Sequence, residues 1–582
     1  MTPHRHLPPI LLLSGLAIAL LLAVSAWPQD GNAPGVLHIS TRVVNVNVVV
    51  TAADGSPVRD LTLDDFTLLD GSESQKIAFF DAIDNGVPPP APPPAPDTYT
   101  NRPEERGAAP SVTVLLFDTL NARWGSQGYA LRGVRALLRQ IQPQDHLGIY
   151  VLGEQLKVVH DATHDVSDLV DAIHRYDEKH SHARAQPATD EEESTGNPDL
   201  DAFLAGKDNR NRPELSGAGL TPGYQQDTLE FDLSMTAAAL EAIARELSSF
   251  QGRKSLIWIS SSLGPLGYFL TDDLGRSSGR WPGYASTVLQ TMASSGDILD
   301  LERMIRLMNA AGIAVYTVDA RGLETQNLQF GNPRPSTTLR SAGQATQELV
   351  SQTPQPNDAM LDLSSRTGGR SLFNRNDLET GIRRALDDSR FSYSLAYYPT
   401  HNKWKGEWRK IQVKVNRPGV TVLSRGGYFA LPDASPVPPK DRIEFFRQIA
   451  ASPLESTQVP LSVHMGVSSA PNGAHLAARV HLDVMPMLTR QKNGRWAGNF
   501  ELMFMQLSDK EKLLDATQKD VNADLTPKRF EALAKRGWDL PVDLKFMPGA
   551  TMLCVILHDK STEAVGSVRI PLTRYSAALV AR

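Results

Sequence analysis

One stretch limits the fold more than any other. Residues 112–117 form a run that is apolar but for Thr113 and ends in Asp118, which predicts a strand buried on both faces. Beyond Asp118 the sequence alternates between helix and strand signals. Leu131, Val134, Leu137, Leu138 and Ile141 mark one side of a helix over 129–141. Residues 146–152 read as the next strand, with 156–159 placed to form a hairpin with it. A helix over 166–176 starts behind Asp165 as N-cap. Helices at 229–250, 298–311, 360–366 and 378–388 alternate with strands at 255–259, 313–318 and an edge strand at 371–373, and Gly368-Gly369 stops the third of these helices. Such alternation requires right-handed crossovers and a mainly parallel sheet covered on both sides. The expectation is a doubly wound α/β unit over 111–390, interrupted by polar insertions near 178–225 and 324–356 that read as disordered. Ligands of such sheets sit beyond the carboxyl ends of the strands, where Asp118, Ser260 and Asp319 fall.

The flanks are β-rich. Residues 36–82 carry β-branched runs and turn signals at Asp54-Gly55 and Asp70-Gly71. Residues 83–110 read as a Pro-rich linker. Strands in 391–430 are expected to complete the N-terminal β segment, so that the α/β unit is an insertion in a small β domain. A second linker is expected at 431–460, and a β-sandwich-like domain at 461–582.

At 582 residues the chain is too long for one domain. Its 41% hydrophobic and 21% charged content supplies ordinary cores. The net charge of -6 argues against a nucleic-acid partner and gives no pull toward anionic lipid. His4, Arg5 and His6 precede an apolar run at 10–22 and the small residues Ala23 to Ala26, which reads as a secretory signal over 1–26. A retained anchor is the competing reading, but the run is short of the roughly 20 residues a span needs. The expectation is a secreted or periplasmic protein with no stable membrane span after cleavage. No cysteine stands near the cut, which excludes a lipoprotein anchor. The single cysteine, Cys554, forms no internal disulfide and reads as a buried small hydrophobe.

Several motifs carry a resemblance. They are VVVTAADGSPVRDLTLDDFTLLDGSESQKIAFF (48–80), VLLFDTLNA (114–122), GRKSLIWISSSLG (252–264), AVYTVDARGL (314–323), TGGRSLFNRNDLETGIRRALDDS (367–389), YSLAYYP (393–399) and RKIQVKVNRPGVTVLSRGGYFA (409–430). In this order they resemble a bacterial family of exported proteins related to the von Willebrand factor A (vWA) domain, over about residues 36–430. The resemblance implies a vWA-like fold. It implies little about activity, because such folds serve many functions.

Many vWA domains hold Mg²⁺ at a metal-ion-dependent adhesion site, with Asp-x-Ser-x-Ser after the first strand and a distant Thr and Asp. Hard oxygen ligands suit that ion. Here Asp118 fits the first ligand, but Leu120 and Ala122 stand at the two Ser positions, and Ser260 and Ser261 stand where a later Asp belongs. Asp118, Asn121, Thr163 and Ser260 are the partial candidates. They do not complete the set, so no cofactor is expected and the adhesion site reads as degenerate. Asp118 is instead expected to cap the turn after its strand.

His160-Asp161 and His164-Asp165, placed in a loop entering a helix, have a metal-like spacing but read as capping residues. No nucleophile elbow, His-Glu-x-x-His or phosphate loop is present. The reading is therefore a non-enzymatic module that binds a protein or other extracytoplasmic macromolecule. Its contact face is Asp118, Thr119, Asn121, Ser260, Ser261, Asp319 and Arg321. An envelope-associated hydrolase with an unrecognised site, or a structural part of an envelope assembly, are the alternatives. Tyr397, Tyr398, Trp404 and Trp408 cluster near a turn and read as sheet packing, with any exposed member suited to contact.

Overall fold

The computed structural model describes residues 42–85, 95–106, 108, 110–121, 142, 145–153, 155–163, 222–260, 297–319, 356–372, 378–401, 403–432, 436–438, 440–470 and 473–575. The signal segment, the helices expected at 129–141 and 166–176, and nearly all of both insertions lie outside the described residues.

The first strands are β1 (Val44–Thr51), β2 (Phe66–Asp70), β3 (Glu73–Gln75), β4 (Ile77–Asp84) and β5 (Thr98–Thr100). β1 buries Val44, Val46, Val48 and Val50 on one face, the period-2 pattern of a pleated strand. A 3-10 turn at Leu63–Asp65 leads into β2, its entry held by Thr62 N–H donating to Asp65 Oδ2 at 2.7 Å.

The α/β unit runs β6 (Val112–Asp118), β7 (Leu147–Leu152), β8 (Leu156–Thr163), α1 (Pro222–Leu247), β9 (Lys254–Ser260), α2 (Asp297–Ala311), β10 (Ile313–Asp319), α3 (Pro356–Thr367), β11 (Ser371–Leu372) and α4 (Leu378–Asp388). Its six-stranded sheet has the order β11-β10-β9-β6-β7-β8, parallel throughout except for the edge strand β8. Alternate residues feed two cores. Val112, Val114, Leu116, Leu256, Trp258 and Val315 pack under α1, α2 and α3. Leu115, Phe117, Ile257, Ile259, Tyr316 and Val318 pack with Ile382, Ala385 and Leu386 of α4 on the other face. Burial on both faces is why these strands read as mainly apolar runs rather than as alternating ones.

Then come β12 (Phe391–Tyr397), β13 (Glu407–Val415), β14 (Thr421–Ser424) and β15 (Gly427–Ala430). They pair antiparallel with the N-terminal strands, but in two sheets rather than one, β14-β1-β12-β4 and β15-β13-β2-β3. Val46, Val48, Leu68, Tyr393, Leu395 and Ile411 fill the space between them. Asp70 is buried there and accepts from Arg409 Nε (2.8 Å), Tyr397 OH (2.9 Å) and Tyr428 OH (3.0 Å). Of the aromatic cluster, Tyr397 is thus internal, whereas Tyr398 is 44% exposed, edge-on to the exposed Phe79.

The rest is α5 (Arg442–Ala451), β16 (Leu461–Ala470), β17 (Gly473–Leu482), β18 (Thr489–Arg490), β19 (Trp496–Leu507), β20 (Leu513–Leu525), α6 (Pro527–Arg536), β21 (Trp538–Lys545), β22 (Met552–Asp559) and β23 (Val565–Pro571). Two antiparallel sheets, β21-β17-β16-β5 and β18-β19-β22-β23 with β20 on β19, enclose one core that includes Val463, Val480, Phe500, Phe504, Val555 and Ile570. Cys554 is buried on the outer face of the second sheet, under α5. Taken together, the described residues form a mixed α/β structure of five sheets, mostly strands, one of them with parallel strands. Among the described residues no helix is long and apolar enough to cross a membrane.

Three expectations need correction. The 83–110 segment is not all linker: β5 pairs with β16, and the buried Asn101 fixes the crossing by donating to Ser456 O and Val459 O and accepting from Leu461 N–H. The 431–460 segment contains α5, whose Phe445, Phe446, Ile449 and Ala450 are buried at helical spacing. His160 and Asp161 lie within β8, not in a loop entering a helix, because the β7–β8 hairpin continues to Thr163.

Candidate functional site at the carboxyl ends of the parallel strands

Chain order reverses between β6 and β9. From β6 the sheet grows through β7 on one side and through β9, β10 and β11 on the other. In open α/β sheets ligands bind at such a switch point, outside the carboxyl ends of the strands. Asp118 ends β6, Ser260 ends β9, and Asp319, the register partner of Ser260, ends β10. All three are buried.

The turn after β6 folds over the end of β7. Thr119 N–H and Leu120 N–H both donate to Leu152 O, at 2.7 and 3.1 Å, and the Thr119 hydroxyl joins them at 2.8 Å. This brings Asn121 back onto Asp118. Asp118 Oδ1 accepts from Asn121 N–H at 2.9 Å, and Oδ2 accepts from Asn121 Nδ2 and from Trp258 Nε1, each at 2.9 Å. The Ser260 hydroxyl adds a further bond. Asn121 Nδ2 also reaches Thr236 Oγ1 of α1 at 3.1 Å.

Burial pushes the Asp118 carboxyl up to about 6, against the opposing pull of the hydrogen bonds from Asn121, Trp258 and Ser260. Its lone pairs are taken by donors of the chain itself. Asn121 turns its amide nitrogen toward the carboxylate, so its amide oxygen does not join Asp118 in an oxygen cage. Leu120, at the first hydroxyl position of the adhesion motif, is buried in the core under α1. The arrangement is that of a capped strand end. It can hold a turn rigid and present Thr119 and Asn121, both half-buried, at the rim.

Thr163 does not belong to this group. It pairs with Leu147, at the amino end of β7, roughly 17 Å along the strand from Leu152 at 3.3 Å per residue. The antiparallel hairpin carries it to the opposite end of the sheet. Ser261, Arg321 and Ala122 lie outside the described residues. Trp258 and Thr236 were absent from the sequence-based set. Trp258 left a signal, since an indole inside an otherwise aliphatic buried strand needs a partner for its N–H.

No described protein family matches the chain. No curated protein matches it either. Among solved structures, an aerotolerance-related membrane protein from Bacteroides fragilis NCTC 9343, crystallised with multiple mutations to serines, is similar at 14% identity. The match covers 48% of this chain and 98% of that one with a TM-score of 0.19.

Proposed function

We propose that this chain is an exported, vWA-like module that binds another extracytoplasmic macromolecule at the carboxyl rim of its parallel sheet. It does so without catalysis and without a tightly held divalent ion. The observation that carries this reading is the state of Asp118. The one carboxylate at the end of β6 is buried and engaged by Asn121, Trp258 and Ser260. A carboxylate so occupied supports a rigid rim better than it supports metal or acid–base chemistry. The position at the topological switch point supports the same rim as the contact face.

Site-directed photocrosslinking of the full chain tests it. A photoreactive side chain is placed at Thr119 or Asn121, with exposed Lys519 of β20 as the control position. The expected result is a defined adduct with an envelope component from the rim positions only, suppressed by excess unlabelled chain. Equal adducts from all three positions count against the rim. Turnover of ester, glycan or peptide substrates that disappears in Asp118→Asn would make the chain a hydrolase instead.

A further inference from the structure

Helix α6 turns its charges away from the sandwich that carries it. Thr526 caps it, accepting from Arg529 N–H at 3.4 Å, and Pro527 supplies its first residue. Phe530 and Leu533 hold it on the core, where the Phe530 ring stacks on Trp496 with centroids 4.2 Å apart. At about 100° per residue, Lys528 and Lys535 point the same way, and so do Arg529 and Arg536. All four are exposed, and only Ala532 falls between the two pairs. Glu531, the acid of this helix, stands at the margin of the face.

Two more cations extend the group. Arg490 lies opposite Trp496 in the β18–β19 ladder. Directly opposed residues project to the same side of a sheet, here the side where α6 stacks on Trp496. Lys492 follows in the turn between the two strands, and both residues are exposed. The acids of the flanking strands are engaged elsewhere, Asp520 by Lys560, Asp524 by Arg495 and Asp539 by His481. Among the described residues none of the six cations forms an ion pair.

Helix stability does not account for this pattern. Lys535 and Arg536 occupy the last turn, where cations suit the helix dipole. Lys528 and Arg529 occupy the first turn, where they oppose it. Such a face is better matched to an anionic partner outside the chain than to the chain itself. What it lacks narrows the partner. Single nucleic-acid strands are held in basic grooves by aromatic rings free to stack on bases, whereas Trp496 and Phe530 are stacked on each other. Protein interfaces centre on large anchors that fill pockets, whereas the apolar group between these cations is the Ala532 methyl. A planar array of lipid phosphates requires neither. The net charge of -6 gives no such pull overall, but charges farther than about 10 Å are largely screened in ordinary salt, so a surface meeting this face responds to the local cations.

We propose that the outward face of α6, with Arg490 and Lys492 beside it, docks on the phosphate headgroups of an anionic lipid bilayer. This surface shares no residue with the rim of the parallel sheet and does not depend on it.

The test is cosedimentation of the full chain with vesicles of phosphatidylcholine, alone or with roughly one-third phosphatidylglycerol. Binding to the neutral vesicles measures what the apolar run at 10–22 contributes, so the difference between the compositions reads the charged face. A clear preference for the anionic vesicles is expected, lost in about 0.5 M salt. Each Lys or Arg at such a surface is worth roughly fivefold in binding, so replacing either pair, Lys528 with Arg529 or Lys535 with Arg536, by Gln should reduce the preference roughly 25-fold. Replacing all four should bring the anionic vesicles down to the level of the neutral ones. Lys410→Gln with Lys414→Gln, at two exposed positions of β13, removes the same charge as one pair and should leave the preference unchanged. All these positions are exposed, so the thermal transition should be retained throughout. Equal binding to both compositions overturns the assignment, as does an undiminished preference in the folded pair variants or an equal loss in the β13 variant. Single-stranded RNA that binds more tightly than the anionic vesicles at matched phosphate concentration would give the face to nucleic acid and overturn it as well.

Discussion

Trp258 Nε1 donates to Asp118 Oδ2 at 2.9 Å across the junction of β9 and β6. The register partner of Trp258 is Leu116, so the indole reaches two residues along the neighbouring strand to find its acceptor. One side chain therefore couples two places. Its N–H steadies the rim carboxylate, and its ring packs in the core under α1, α2 and α3.

Removing that donor has a defined cost. Trp258→Phe keeps an aromatic ring in the core and leaves a buried carboxylate short of one hydrogen bond. The expected loss is about 2–4 kcal/mol, combining the bond to a charged group with the volume lost. A urea titration reads it as a lower midpoint at unchanged slope. A loss below about 0.5 kcal/mol would show that the bond contributes nothing net.

Asp118 also sets a pH dependence of definite sign. Its folded pKa of about 6 lies above the ordinary carboxylate value of 3.8, so between these limits the folded chain binds the proton more tightly than the unfolded one. Stability from this group is greatest below about pH 4 and falls as pH rises toward 6. Above that the full cost applies, on the order of 3 kcal/mol. Asp118→Asn cannot ionise. Its urea midpoints between pH 4 and 7 should decline less steeply than those of the parent chain; parallel profiles would place the ionisation elsewhere.

How much of the fold was legible in the sequence depended on how local each signal is. β6, β9 and β10 announced themselves because burial on both faces keeps the middle of each strand almost wholly apolar, with Thr113 and Thr317 the buried exceptions, and α4 because Ile382, Ala385 and Leu386 keep helical spacing. β5 and α5 were hidden by the proline-rich sequence around them, although the spacing of Phe445, Phe446, Ile449 and Ala450 was there to read. The position of Trp258 was legible but its acceptor was not, since 140 residues separate it from Asp118. Thr163 was misplaced for a geometric reason. A hairpin reverses direction, so a residue that continues the strand travels away from the rim.

The occupancy of Asp118 bears on metal binding. With Asn121, Trp258 and Ser260 already donating to it, a hard cation must displace hydrogen bonds and still lacks the two hydroxyls in whose place the sequence has Leu120 and Ala122. Calorimetry should show no micromolar binding of Mg²⁺ or Mn²⁺. A micromolar isotherm that vanishes in Asp118→Ala would reinstate a functional adhesion site.

Two glycines should respond very differently to alanine. A Cβ on Gly369 would stand 2.0 Å from Val315 O, against the backbone of β10, where nothing flexible can yield. Gly312 has open space around it but a φ of +65°. Gly312→Ala should therefore cost about 1 kcal/mol from backbone strain alone. Gly369→Ala must push α3 off the sheet and should cost about 3 kcal/mol or more. Thermal melts of the two variants decide it, and similar transitions would mean that the α3–β10 contact is far softer than its geometry implies.

Phe446 makes the last case, because it tests whether α5 belongs to the folded C-terminal region or merely rests on it. Its ring is fully buried, edge-on to His558 and packed with Met503, Met505 and Ile556 on the outer face of the second sheet. Truncation to alanine removes a large buried aromatic and should cost about 3–5 kcal/mol. Were α5 only a linker that happens to be helical, the loss would stay local. The packing instead ties it to β19 and β22. Hydrogen exchange in Phe446→Ala should then quicken in those two strands as well as in residues 442–451. Exchange confined to the helix, with the strands unchanged, would detach α5 from the core of this sandwich.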